Sequence, residues 1–320
     1  MRGISMDFKD LAGLSEPLKK LIEVVSNGIG QIYFPKLEGR RIALTSEAIE
    51  QQAISEAKAE ITKTVMLAEN GIFQVREDRF YDKELLQRAA ERFGKQFIEG
   101  QENIEKIVDH AAQNISQECS SENLDREWIR RFFSYAEDIS NIEFQNLWGK
   151  ILAGEVTKPG SYSLGLLEVL RKIDKKDAEK FQKLCKIAPN DGYIVLLQGG
   201  IENTLSCAGL NFGDILDLIA LGLVNSKIDG LGIKRNSEAI LLKFGKKRLI
   251  IKGKELAEKT MASILLTRAG IELMNLISFD IEFNDEYMKS FANLYKSPTC
   301  IVKCKISPKG ATQFPGKGAT

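Results

Sequence analysis

The side chains that could do chemistry are few and scattered. His110 is the only histidine in 320 residues. A Ser/His or Cys/His hydrolase, or a histidine-rich metal site, therefore has a single imidazole to draw on. Cys119, Cys185, Cys207, Cys300 and Cys304 are odd in number and dispersed, as suits a reducing cytoplasm. Cys300 and Cys304 make a CxxxC without a second pair, which reads as structural thiols rather than a metal site. Gly149 and Gly154 give a GxxxxG spacing, but a phosphate cradle needs its glycines on a loop before a helix. No GxGxxG follows a strand, and no GxxxxGK[ST] or HExxH occurs. No catalytic residue, cofactor site, cofactor or metal ligand is expected.

Charge offers one further candidate. Lys plus Arg is 45 and Asp plus Glu is 44, so the whole chain has no electrostatic pull on nucleic acid or membrane. From Arg235 to Lys259, however, eight cations face three anions. Lys243, Lys246, Lys247, Arg248 and Lys252 form a candidate contact for nucleic acid or a partner. The segment FGDILDLIALGLV would be the reading helix of a winged-helix module, yet it carries two aspartates and no cation. A second candidate is an amphipathic helix, where Leu18, Leu21, Ile22 and Val25 lie on one face beside Lys19, Lys20, Arg40 and Arg41. That face suits docking against the rest of the protein first, and otherwise membrane-surface contact or assembly. The N-terminal MRGISMDFKDLAGLSEPLKK has no apolar signal core, and no run of about 18 apolar residues occurs.

These residues must be carried by mostly helical elements. No proline lies between Pro35 and Pro159, which permits long helices. The first helix starts at Ser15 with Glu16 and Pro17 in its first turn, and Gly28, Gly30 and Pro35 end it. A second is expected from about Leu37 to Leu67, with a stripe of Ile42, Ile49, Ala53, Ala57 and Ile61. A third spans Asp82 to about Ser116, where Leu86, Phe93, Phe97, Ile104, Val108, Ala111 and Ile115 mark a seam. Phe93 and Phe97 are candidate assembly contacts. Asp125 caps a helix with Trp128, Phe132 and Phe133 inward, and Ser140 with Glu143 forms a capping box for the helix that Gly154 closes. Asp174 caps a later helix. Past Pro189 the texture changes to α+β. Gly192–Leu197 and Ser263–Thr267 read as strands, and Ala239–Phe244 with Arg248–Ile251 as a hairpin. Between them, Asn211 caps a short helix that buries Ile215, Leu216 and Ile219.

The expected fold is mainly α. A long-helix region (residues 1–122) and a helical core (123–188) precede a winged-helix-like α+β domain (189–306) and a disordered tail (307–320).

Four ordered blocks resemble a known family. They are FQNLWGKILAGEV, SLGLLEVLRKIDKKDAEKFQKL, DLIALGLVN and ILLTRAGIELMNL, all between Ser140 and Ile277. They are similar to segments of the bacterial Abi-alpha abortive-infection family, and the chain also looks like a related bacterial family of unknown function. The resemblance implies an antiphage protein with no agreed enzymatic activity, so it assigns no catalytic residue. The leading expectation is a cytoplasmic, non-enzymatic protein acting as a homo-oligomer, with peripheral contact at the inner membrane. Its phage or host trigger stays open. A winged-helix nucleic-acid binder and a hydrolase with an unrecognised site remain alternatives.

Overall fold

The computed structural model describes residues 14–30, 36–37, 40–41, 83–226, 239–244, 247–252, 262–277, 282–294 and 301–306. The chain is mainly helical, with small antiparallel strands concentrated toward its C-terminal part. It divides into two compact units, Met1–Leu164 and Gly165–Thr320. The long-helix region and the first helices of the expected core thus belong to one unit, and the rest of that core belongs with the α+β part. The tail expected from 307 lies outside the described residues.

In the first unit, α1 (Glu16–Ile29) begins after extended Ser15, carries its proline in the first turn, and ends at Gly30 with φ 73°. Only a residue without Cβ takes that left-handed turn cheaply. Strands β1 (Lys36–Leu37) and β2 (Arg40–Arg41) pair antiparallel, Lys36 opposite Arg41. The helix expected from about Leu37 therefore cannot start there, and the remainder of it lies outside the described residues. Helix α2 (Lys83–Asn114) runs unbroken through Gly94 and Gly100 for 32 residues, a length of about 48 Å.

Helix α3 (Arg126–Ala136) starts where Asp125 accepts from the Trp128 N–H at 2.9 Å. Helix α4 (Ile142–Thr157) is capped by Asn141, not Ser140: the Asn141 side chain accepts from Glu143 and Phe144 N–H groups. Gly154 does not close α4, which continues to Thr157; the glycine instead admits the Tyr162 ring, which a Cβ would meet at 2.7 Å. Helix α4 is the centre of the unit. It packs along α2 and against α1, and Trp148, Ile151, Leu152 and Val156 are fully enclosed. The Phe132 ring stands 5.0 Å from both Trp128 and Trp148, centroid to centroid.

Buried polar groups fix this packing. Gln145 donates to the Asn103 side chain and to the Ile139 carbonyl, and Asn103 donates to the Glu137 carbonyl. Glu155, 2% exposed, accepts from the Gly160 and Tyr162 N–H groups and so folds the loop after α4.

The second unit contains α5 (Leu164–Lys172) apart from its first residue, and α6 (Lys175–Cys185), capped by Asp174. Strand β3 (Tyr193–Val195), α7 (Gly200–Ser206) and α8 (Phe212–Ala220) follow. Asn211 and Asp214 form a reciprocal capping box on α8. The hairpin of β4 (Ala239–Phe244) and β5 (Lys247–Lys252) precedes β6 (Ser263–Leu265), α9 (Arg268–Ile277), α10 (Asp285–Asn293) and β7 (Ile301–Ile306).

Two sheets organise this unit. Strand β6 pairs with β3, Ile264 opposite Ile194; on its other side Val224 bridges Leu266 and the Asn225 N–H donates to Leu265. The other sheet has the order β4–β5–β7, all antiparallel. Strand β7 comes from a region the sequence reading left without an element. Phe244 from this sheet meets Phe283 and Tyr287, and the Tyr287 hydroxyl donates to the Val195 carbonyl at 2.9 Å.

Candidate binding surfaces

Four surfaces were expected to matter, and the fold treats them differently. On α1, Leu18, Leu21, Ile22 and Val25 are at most 6% exposed. They are interior side chains, because α1 packs against α3 and α4. The membrane or assembly face expected there is corrected: it is spent on the bundle. Lys20 is also engaged, since its ammonium donates to the carbonyls of Ser120 and Glu122.

The seam of α2 splits in two. Ile104, Val108 and Ala111 are buried, together with Ile107 and Ala112. Phe93 and Phe97 are 68% and 66% exposed, with their rings stacked 6.2 Å apart. From Glu84 to Glu99 every described side chain is exposed except at half-buried Gly94. Leu86 is at a helical position whose side chain lies outside the description, and Ile115 follows the end of the helix.

Helix α8 turns a different face inward than expected. Ile215 and Leu218 are buried, Ile219 is half-buried, and Leu216 is 50% exposed. Asp214 and Asp217 converge on Lys180 of α6, Asp217 at 2.6 Å and Asp214 at 3.9 Å. The hydrogen bond that the Lys180 ammonium donates to Asp217, reinforced by the charges of Asp217, Asp177 and Asp214, raises the Lys180 pKa.

The basic hairpin is the surface that gains most. Its register places Lys243 opposite Arg248, and Arg248 opposite Lys305. Lys243 and Arg248 are exposed, while Leu242, Phe244 and Leu249 are at most 3% exposed. Alternation along each strand puts Lys252 and Lys303 on the same face as Arg248. Lys247 falls on the opposite face, in register with Phe244 and Ile306. Lys246 lies outside the described residues. The sequence reading missed Lys303 and Lys305, although IVKCKI alternates apolar and basic residues at the period of a strand.

Among the described residues, no group of three His, Cys, Asp or Glu side chains could hold a metal ion, and no helix is long and apolar enough to cross a membrane. Cys185 is buried, and burial pushes its thiol pKa far up, so it is held as a neutral thiol.

Among the described residues, the structure thus presents an exposed apolar pair, Phe93 and Phe97, on α2, and a sheet face on which Lys243 and Arg248 are exposed. The chain is a member of the family described as Protein of unknown function (DUF2806), which matches residues 87–292. No curated protein and no solved structure matches it.

Proposed function

We propose that this chain is a bacterial antiphage protein of the abortive-infection type, acting without catalysis through self-assembly on the free half of α2. One observation carries the assembly reading: a single apolar stripe is buried from Ile104 onward, while its continuation at Phe93 and Phe97 is uncovered. A narrow stripe gains little unless a surface covers it. The occupant we assign is a second copy of α2. In a seven-residue frame with Phe93 and Phe97 at the two seam positions, the flanks are Gln87, Ala89, Gly94, Gln96 and Gln101, all uncharged. Flanking charges set partner choice in paired helices, so neutral flanks put no like-charge penalty on pairing with an identical helix. Of the ions of this half, Glu84 with Arg88 and Lys95 with Glu99 pair along their own helix. The antiphage part of the reading rests on the ordered blocks between Ser140 and Ile277 that are similar to the Abi-alpha family.

A second reading concerns the winged-helix-like module expected over residues 189–306, with α6 preceding it. The order α6, β3, α7, α8, Val224, hairpin, β6, with β6 between β3 and Val224, supports a winged-helix-like module. Helix α8 would be its groove-reading helix, but Asp214 and Asp217 oppose phosphate there.

The test is solution mass by light scattering across micromolar concentrations, alongside phage plating. The wild-type chain should exceed the monomer mass of 35.8 kDa. Changing Phe93 and Phe97 to Asp should give folded monomers with an unchanged melting temperature and no protection. A wild-type monomer that protects fully overturns the reading.

A further inference from the structure

We propose that the outward face of the β4–β5–β7 sheet binds the phosphate backbone of a nucleic acid without reading its sequence. The inference is independent of the assembly reading, because it stands on a different unit of the chain.

The first observation is the cross-strand row Lys243, Arg248, Lys305. Like charges directly opposite one another destabilise a sheet, and none of the three strands contains an Asp or Glu to relieve the row. Lys252 and Lys303 extend the same face along β5 and β7, giving five basic positions. Nothing in the folding of the sheet calls for this arrangement. The opposite face already supplies the core through Leu242, Phe244 and Leu249. A ligand of closely spaced negative charges removes the repulsion.

Spacing narrows the ligand class. Neighbouring strands lie about 4.8 Å apart and alternate residues about 6.7 Å apart. The row therefore spans about 10 Å, and the face about 13 Å along the strands. That is an area for several phosphates of one chain, where each nucleic-acid strand carries a charge about every 3.4 Å of helix rise. A single carboxylate or a mononucleotide would leave most of the cations unmatched.

Composition argues that only the backbone is read. The remaining positions on this face are Ala239, Leu241, Ile250 and Ile301. None carries an amide or hydroxyl for a base edge, and none is an aromatic platform for an unstacked base. Bilayer docking is less well served. Interfacial binding wants large apolar side chains standing clear of the surface among the cations, and Ile250 is half-buried. Helix α8, with its aspartates, does not take part.

The experiment uses the full chain and fluorescence polarisation of mixed-sequence DNA and RNA duplexes over a salt series. Wild-type affinity should fall on the order of a hundredfold or more between low and physiological salt. Changing Lys243, Arg248 and Lys305 together to Gln should weaken binding at least tenfold and flatten the log–log salt slope by about 2.7. A charge-matched control changes Lys175, Lys176 and Lys183, exposed on α6, and should keep the wild-type slope. Circular dichroism confirms that both variants are folded. Binding to both duplex types, in whatever ratio, supports a backbone contact. The proposal fails if no duplex binds at low salt, if the two triple variants behave alike, or if one sequence is strongly selected. It fails equally if phosphatidylserine vesicles bind the sheet face and duplex does not.

Discussion

Gly149 on α4 lies directly against His110 on α2, where the two helices of the first unit pack together. A Cβ at Gly149 would stand 2.5 Å from the His110 Cβ and 3.0 Å from the backbone of His110 and Ala111. Backbone cannot rotate aside as a long side chain can, so the crossing must open. Gly149→Ala should gain about 1 kcal/mol of helix propensity but lose about 1–3 kcal/mol to overpacking. A lower melting temperature is expected. A higher one would show that α2 and α4 separate at little cost.

Trp148 tests how the same core is held. The side chain is fully buried against Phe132, and its indole N–H has no hydrogen-bond partner. Trp148→Ala should cost about 3–5 kcal/mol in chemical denaturation. Trp148→Phe should cost clearly less, because it also removes a buried donor that is unsatisfied. Equal losses from the two changes would mean that the N–H is satisfied in solution.

Ile22 separates the interior role of α1 from a membrane role. Its side chain is fully buried, so Ile22→Asp places a carboxylate in the core, a change in the severe range. Loss of helical ellipticity is expected. A folded variant that merely leaves anionic vesicles in a flotation assay would restore the membrane reading.

Glu137 gives a pH dependence with a definite sign. Partial desolvation of this largely exposed side chain, and then the charge of Asp138, raise its pKa above 4.5. A raised carboxyl favours the protonated native state, so its contribution is complete below 4.5 and is lost as pH climbs through the raised value. At pH near 7 the folded chain holds an unwelcome carboxylate. Glu137→Gln should therefore raise the melting temperature there, and the gain should shrink as pH falls below 4.5. A constant difference across pH would assign the effect to packing. The Asn103 hydrogen bond is to the Glu137 backbone carbonyl and survives the change.

The helix starts at Asp125, Asp174 and Asn211 were legible in the sequence because a cap is decided within four residues. Ser140 and Asn141 are both capable caps, and the choice of Asn141 accompanies long-range bonds, since Gln145 is tied to Ile139 and to Asn103. Gly154 has the look of a helix stop, yet it answers to Tyr162, eight residues on. The β4–β5 hairpin was legible from its alternation, and with it Lys243, Arg248 and Lys252. Lys303 and Lys305 were not, because β7 finds its partner about fifty residues away, beyond any local pattern. Leu216 shares a helical face with Ile215 and Ile219, but tertiary packing turns α8 toward Leu218 and leaves Leu216 exposed, which no local pattern fixes.

Strand β7 has a consequence for how the second unit is made. It is the last described element, and it closes a sheet whose other strands were synthesised well before it. Until Ile301–Ile306 leaves the ribosome, β5 presents an open hydrogen-bonding edge on a lone hairpin, which is marginal in water and prone to pair with another chain. The family match stops at residue 292, short of this strand. A fragment cut to the family boundaries would keep β5 in that half-finished state permanently, and recombinant work on this chain should expect such a fragment to aggregate where the whole chain does not.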